Sequence, residues 1–149
     1  MSIFIFLTIS TSFAKKKKTV EQAAEAPAPV EKDPTAGANI PSDGNSKKFA
    51  KKLLSTKFEN FDANITGLVW EQLTFSADNT FTATASQFLM DESMSCVEQG
   101  SWTMDPASSS TVTNMTLNIE SGDCPAADVP RKMRIQATIN GARMDAKYR

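Results

Sequence analysis

A chain of 149 residues without a single histidine excludes Ser-His and Cys-His nucleophilic centres, histidine-rich zinc sites and the commonest general base near neutral pH. The formal net charge of −1 hides an uneven distribution, with 10 Lys against 6 acids through Glu59 and 6 Lys and Arg against 11 acids from Asn60 onward. An acidic second half speaks against nucleic acid as a partner, because phosphate binding takes clustered Lys and Arg.

Residues 1–14, "MSIFIFLTISTSFA", carry an apolar run and then Ser12-Phe13-Ala14, a small-x-small pattern. This reads as the hydrophobic region and cleavage site of a secretory signal peptide, and the run is too short for an ordinary transmembrane helix. A periplasmic or secreted location is therefore expected. Residues 15–45 are rich in Lys, Ala, Pro and Glu and show no apolar period. Such a segment buries too little surface to offset its chain entropy and reads as a disordered linker. Its opening "KKKK" implies membrane contact that is at most peripheral, a solvated charge run being the simpler reading.

The domain is expected over residues 46–149. In "NSKKFAKKLLSTKF" the N-cap falls at Asn45 or Ser46, and Phe49, Leu53, Leu54 and Phe58 share one side at helical spacing, with Lys48, Lys51 and Lys52 opposite. One short helix packed on its own domain is predicted. From residue 66 the period becomes two. Strands are predicted over 66–76, 80–87, 95–105, 113–120, 132–140 and 142–148, with Asn140-Gly141 as a hairpin signal. Short strands with turns between them predict an all-β antiparallel meander closing into a small up-and-down barrel of about six to eight strands.

The stretch "TGLVWEQLTFSADNTFTATA" poses a problem of parity. Trp70 and Phe75 are an odd number of residues apart, so one flat strand cannot send both to the same side. Pairing Phe75 with Phe81 leaves Ala77-Asp78-Asn79 as a three-residue loop, with Asn79 suited to the left-handed position. A bulge near Glu71-Gln72 would then return Leu68 and Trp70 to the interior.

A short helix, "ITGLVWEQLTFSADNTFT", "GSWTM" and a strand meander resemble the bacterial lipocalin-like domains, over roughly residues 57–149. The first motif, Gly67-Leu68-Val69-Trp70, is one residue longer than Gly-x-Trp; Gly100-Ser101-Trp102 has the family's spacing. The resemblance implies a non-enzymatic binder with a small apolar or amphipathic ligand inside the barrel. Trp70, Phe75, Phe81, Trp102, Ile135 and Tyr148 would line that interior.

Glu98 shares parity with Gly100 and Trp102, so it is expected inside, where a carboxylate needs a partner. That partner is a ligand's polar head or an Arg. Cys96 and Cys124, the only cysteines, are expected to form a disulfide in an exported chain, contributing about 3.5 kcal/mol by loop entropy. The loop acids lack metal-ligand spacing, and no catalytic residue, metal or cofactor is expected. The alternative is a protein-binding module, such as a lysozyme or protease inhibitor, acting through "LMDESMS" and "SGDCPAADVP", whose acidity suits a basic partner.

Overall fold

The computed structural model describes residues 32–125 and 127–149. The expected signal peptide, and the expected linker through residue 31, lie outside the described residues. Helix α1 (Gly44–Ser55) comes first, then seven strands: β1 (Lys57–Ile65), β2 (Leu68–Phe75), β3 (Thr80–Leu89), β4 (Glu92–Met104), β5 (Val112–Gly122), β6 (Arg131–Asn140) and β7 (Arg143–Tyr148). Each strand pairs antiparallel with its neighbours in sequence, in the single order β1 to β7. The sheet curls into a nearly closed barrel. Across the remaining seam the Glu59 amide donates to the Ala142 carbonyl at 3.2 Å, and the Tyr148 hydroxyl donates to the Asp62 carbonyl.

Two elements differ from the sequence reading. The helix is capped by Asp43, whose carboxylate accepts from the Ser46 amide at 2.8 Å and the Ser46 hydroxyl at 2.5 Å. These bonds, the hydroxyl's foremost, hold the Asp43 carboxyl below its ordinary value. The helix ends at Ser55, so Phe58 belongs to β1 rather than to the helical stripe. The stripe itself holds. Phe49, Ala50 and Leu53 are fully buried, and α1 packs on both β2 and β5. Those strands lie well apart around the barrel, so the helix closes the end at which β1 begins. The Ser46 hydroxyl completes the closure by accepting from the Ala107 amide at 2.8 Å.

Strand β1 escaped the alternating pattern because Phe58 and Phe61, both buried, are three residues apart. Asn60 between them has φ +52°, a left-handed position that Asn tolerates. β2 does the same. Trp70 and Leu73 both face inward, and the register to β3 shifts between Trp70 and Gln72. β1 pairs Glu59 with Gln72 and Phe61 with Trp70, so Asn60 stands opposite Glu71. The two strands therefore kink side by side, and their apolar rows stay inside along their whole length.

The adjoining hairpin follows the expected geometry. Phe75 pairs with Phe81, the Asn79 amide donates to the Ser76 carbonyl at 3.1 Å, and Asn79 has φ +63°. The turn also joins β4, since the Trp102 amide donates to the Asn79 carbonyl at 2.8 Å. Gly100 sits where β4 and β5 shift register. A Cβ there would lie 1.8 Å from the Asn118 carbonyl oxygen. The close approach of the β5 main chain thus requires a glycine here.

Tyr148 tests the seam. Burial first, and the Asp62 carboxylate second, push its phenol well above the ordinary 10.0. A raised folded value means full stability below pH 10.0, lost as pH climbs through the folded value. Tyr148→Phe should lower stability by about 1 kcal/mol at pH 7. The gap to the native chain should narrow above pH 10, measured by urea denaturation at matched pH values.

Candidate functional site

The barrel interior is built first from aromatic rings. Phe61 stacks on Trp70 with centroids 5.4 Å apart and planes 22° apart. Trp70 meets Phe81 at 5.6 Å, Phe81 meets Phe75 at 6.1 Å, and Phe75 meets Phe58 and Trp102 edge-on, each at 6.0 Å. Six rings thus form one connected column. Each favourable ring pair adds about 0.5–1.5 kcal/mol beyond its area burial.

At the Trp70 end of the column sits a charge. Glu98 is 0% exposed. Its carboxylate accepts from the Trp70 indole N–H at 2.6 Å and from the two terminal guanidinium nitrogens of Arg131, Nη1 and Nη2, at 2.5 and 2.6 Å. The arrangement is bidentate, the strongest form of this pair. Arg131 is 16% exposed along its side chain, which places the pair just under the barrel end opposite the helix. Of the two partners expected for Glu98, the structure supplies the Arg. Arg131 was not singled out from sequence, although it shares parity with Met133 and Ile135 in "RKMRIQATIN".

The remaining interior residues are placed as follows. Ile135 is buried and paired with Met115 on one side and Tyr148 on the other. Tyr148 is half-buried and serves the seam. Among the depressions of the described surface are five of 360 to 470 Å³, and Trp70, Phe75, Glu98, Trp102 and Tyr148 line none of these five. Phe81 and Ile135 each edge one of them, beside polar residues such as Gln99 and Glu120, or Asn114 and Arg134.

The other feature is the rim at the Glu98–Arg131 end, formed by the β3–β4 hairpin and the β5–β6 loop. Cys96 and Cys124 lie at disulfide bonding distance, with Sγ atoms 2.10 Å apart. Beside them the Val97 amide donates to the Asp123 carboxylate at 2.6 Å, and the Asp123 amide donates to the Val97 carbonyl at 3.2 Å. These bonds fasten the loop to β4. The hairpin runs on past the ends of β2 and β5, since β2 stops at Leu68 opposite Gln87 and β5 stops at Gly122 opposite Glu98.

The hairpin tip is unusual. Leu89 pairs with Glu92, and Met90 and Asp91 between them have φ +47° and +71°. A two-residue turn of this kind normally takes Asn-Gly; a methionine there costs about 1 kcal/mol. Met90 is 99% exposed and Phe88 60%. Among the described residues the exposed large apolar side chains are Phe88, Met90, Met94, Val97 and Val129, all on this hairpin and this loop. The same two stretches carry Asp91, Glu92, Asp123 and Asp128, and neither holds a Lys or Arg between residues 89–95 or 121–130. The acids were evident from sequence, but the clustering of apolar side chains follows only from the hairpin's overhang.

Comparison with family models, with curated proteins and with solved structures finds no match.

If the Glu98–Arg131 pair is structural, removing one charge should strand the other. Glu98→Gln should cost about 3–5 kcal/mol. Combining it with Arg131→Met should recover most of that loss, because the amide still accepts from Trp70 while no buried cation is left. Equilibrium urea denaturation of both variants checks this.

Proposed function

We propose that this chain is an exported, non-enzymatic protein-binding module that engages a basic partner through the rim of its barrel. The observation that carries this reading is the gathering of exposed apolar side chains and unneutralised acids on the β3–β4 hairpin and the β5–β6 loop. Apolar anchors supply affinity at such a surface, while a single sign of charge steers the encounter and sets partner choice. The anchoring of the loop through Cys96–Cys124 and Asp123 pre-organises the rim and lowers the entropy lost on binding. The strained Met90 fits the same role, since stability is given up at a position where an exposed side chain is useful.

The filled aromatic interior and the internal pairing of Glu98 favour the rim over a ligand held inside the barrel. Export rests on residues 1–14 and agrees with the bonded cysteines. The partner class is a basic secreted protein, with lysozyme as the first probe.

Immobilised full-length chain titrated with lysozyme and a panel of other basic and acidic secreted proteins tests this reading. Binding to a basic member is expected, weakening with salt. It should fall by about tenfold or more when Asp91→Asn, Glu92→Gln, Asp123→Asn and Asp128→Asn are combined. Unchanged binding by that variant would overturn the reading. Met90→Asn with Asp91→Gly should raise stability by about 1 kcal/mol, measured by thermal denaturation, and should weaken the same partner.

A further inference from the structure

The β3–β4 hairpin has two edges, and they are treated differently. On the β3 side the Phe88 amide donates to the Gly67 carbonyl at 2.8 Å, so the β1–β2 turn covers that edge almost to the tip. On the β4 side the ladder to β5 ends at Glu98 opposite Gly122, and Asp123 extends it only to Val97. Val97 turns its main-chain N–H and C=O toward this side. With the strand period of two, so do Ser95 and Ser93, whereas Glu92, Met94 and Cys96 turn toward β3. Ser93 and Ser95 are both exposed. Four main-chain groups thus form a short edge that no strand among the described residues pairs.

Edges of this sort are usually blocked with Lys, Pro, a bulge or an inward charge. From residues 93 to 97 the sequence is Ser-Met-Ser-Cys-Val, which holds none of these, and the ladder to β3 runs without a bulge. Apolar side chains flank the edge on both faces, Phe88 and Val97 on the outer face and Met94 on the inner one. Asp91, Glu92 and Asp123 stand around it. Pairing with a second copy of the same strand would bring these like charges together, which is unfavourable.

Resting on the proposed protein-binding role of the rim, we infer that the partner contributes an extended, basic segment that adds as a strand to the β4 edge at Ser93 and Ser95. Main-chain bonds to those two residues would hold the segment. Its alternate side chains would meet Phe88 and Val97 on one face and Met94 on the other, and its cationic residues would face the acids.

The probe is an eight-residue peptide of alternating lysine and valine, titrated into the full-length protein. A second peptide, N-methylated at every amide, has no main-chain N–H to give to the ladder from either of its edges. Slowed hydrogen exchange at the Ser93 and Ser95 amides is expected with the first peptide. Affinity should be at least about fivefold weaker for the N-methylated peptide and for Ser95→Pro. Ser95→Pro removes only an N–H that points off the sheet, and the N-methylated peptide asks the same question without altering the protein. Unprotected Ser93 and Ser95 amides, or equal binding of the two peptides, would overturn the inference. If the four acid substitutions still weakened binding in that case, the rim would stand as the docking surface and strand addition alone would fall. Protection of the same amides without peptide, together with a dimer in sedimentation, would give the edge to a second copy and also overturn it.

Discussion

Much of the molecule depends on one shared kink. Asn60 and Glu71 stand opposite each other in adjacent strands, and at that point both strands reverse the parity of their side chains. Without it, Phe58 and Phe61 could not both face inward, nor could Leu73 and Trp70. With it, four large apolar groups enter one core from two strands, and the sheet gains the curvature that brings β7 back to β1. The left-handed φ at Asn60 is the local cost, and burying side chains of this size, about 1.5–3 kcal/mol each, outweighs it.

That packing leaves the two ends of the barrel different. The helix end is closed by apolar residues and a capped first turn, and its outer face is lysine-rich. At the other end the core finishes in a charge pair, Glu98 with Arg131, held by the Trp70 indole. A buried carboxylate satisfied by one guanidinium and one indole sets where the β6 strand must begin and which way Trp70 must lie. Beyond it the strands are of unequal length, and the unpaired overhang of the β3–β4 hairpin is where exposed apolar groups, acids and a free edge coincide. The proposed function grows from this asymmetry.

The architecture was legible where the period of two held, and where its one break had to fall between Trp70 and Phe75. The Asn79 turn, the bulge near Glu71, the interior faces of β5 and β6 and the pairing of Cys96 with Cys124 all follow from residue type and spacing. Strand β1 did not, because Phe58 and Phe61 at a spacing of three resemble a helical stripe, and Phe58 extends the real stripe of Phe49 and Leu53. The true cap, Asp43, lies just before two other good capping residues, Asn45 and Ser46. The hairpin overhang was hidden because Met90, at the first turn position, carries no turn chemistry, and Asp91 alone does not mark a two-residue turn. Arg131 was missed for a different reason. A charged residue at the start of a strand reads as a flank, and only the position of Glu98 across the barrel makes it a core partner.

In the proposed function the barrel interior is occupied by its own side chains, and recognition falls to the rim. Native mass spectrometry of the full-length protein, after incubation with a lipid extract and exchange into volatile buffer, addresses this most directly. The expected mass is that of the polypeptide alone, with its two cysteines oxidised. A retained small molecule, lost when Trp70 or Trp102 is replaced in a variant that still folds, would contradict it.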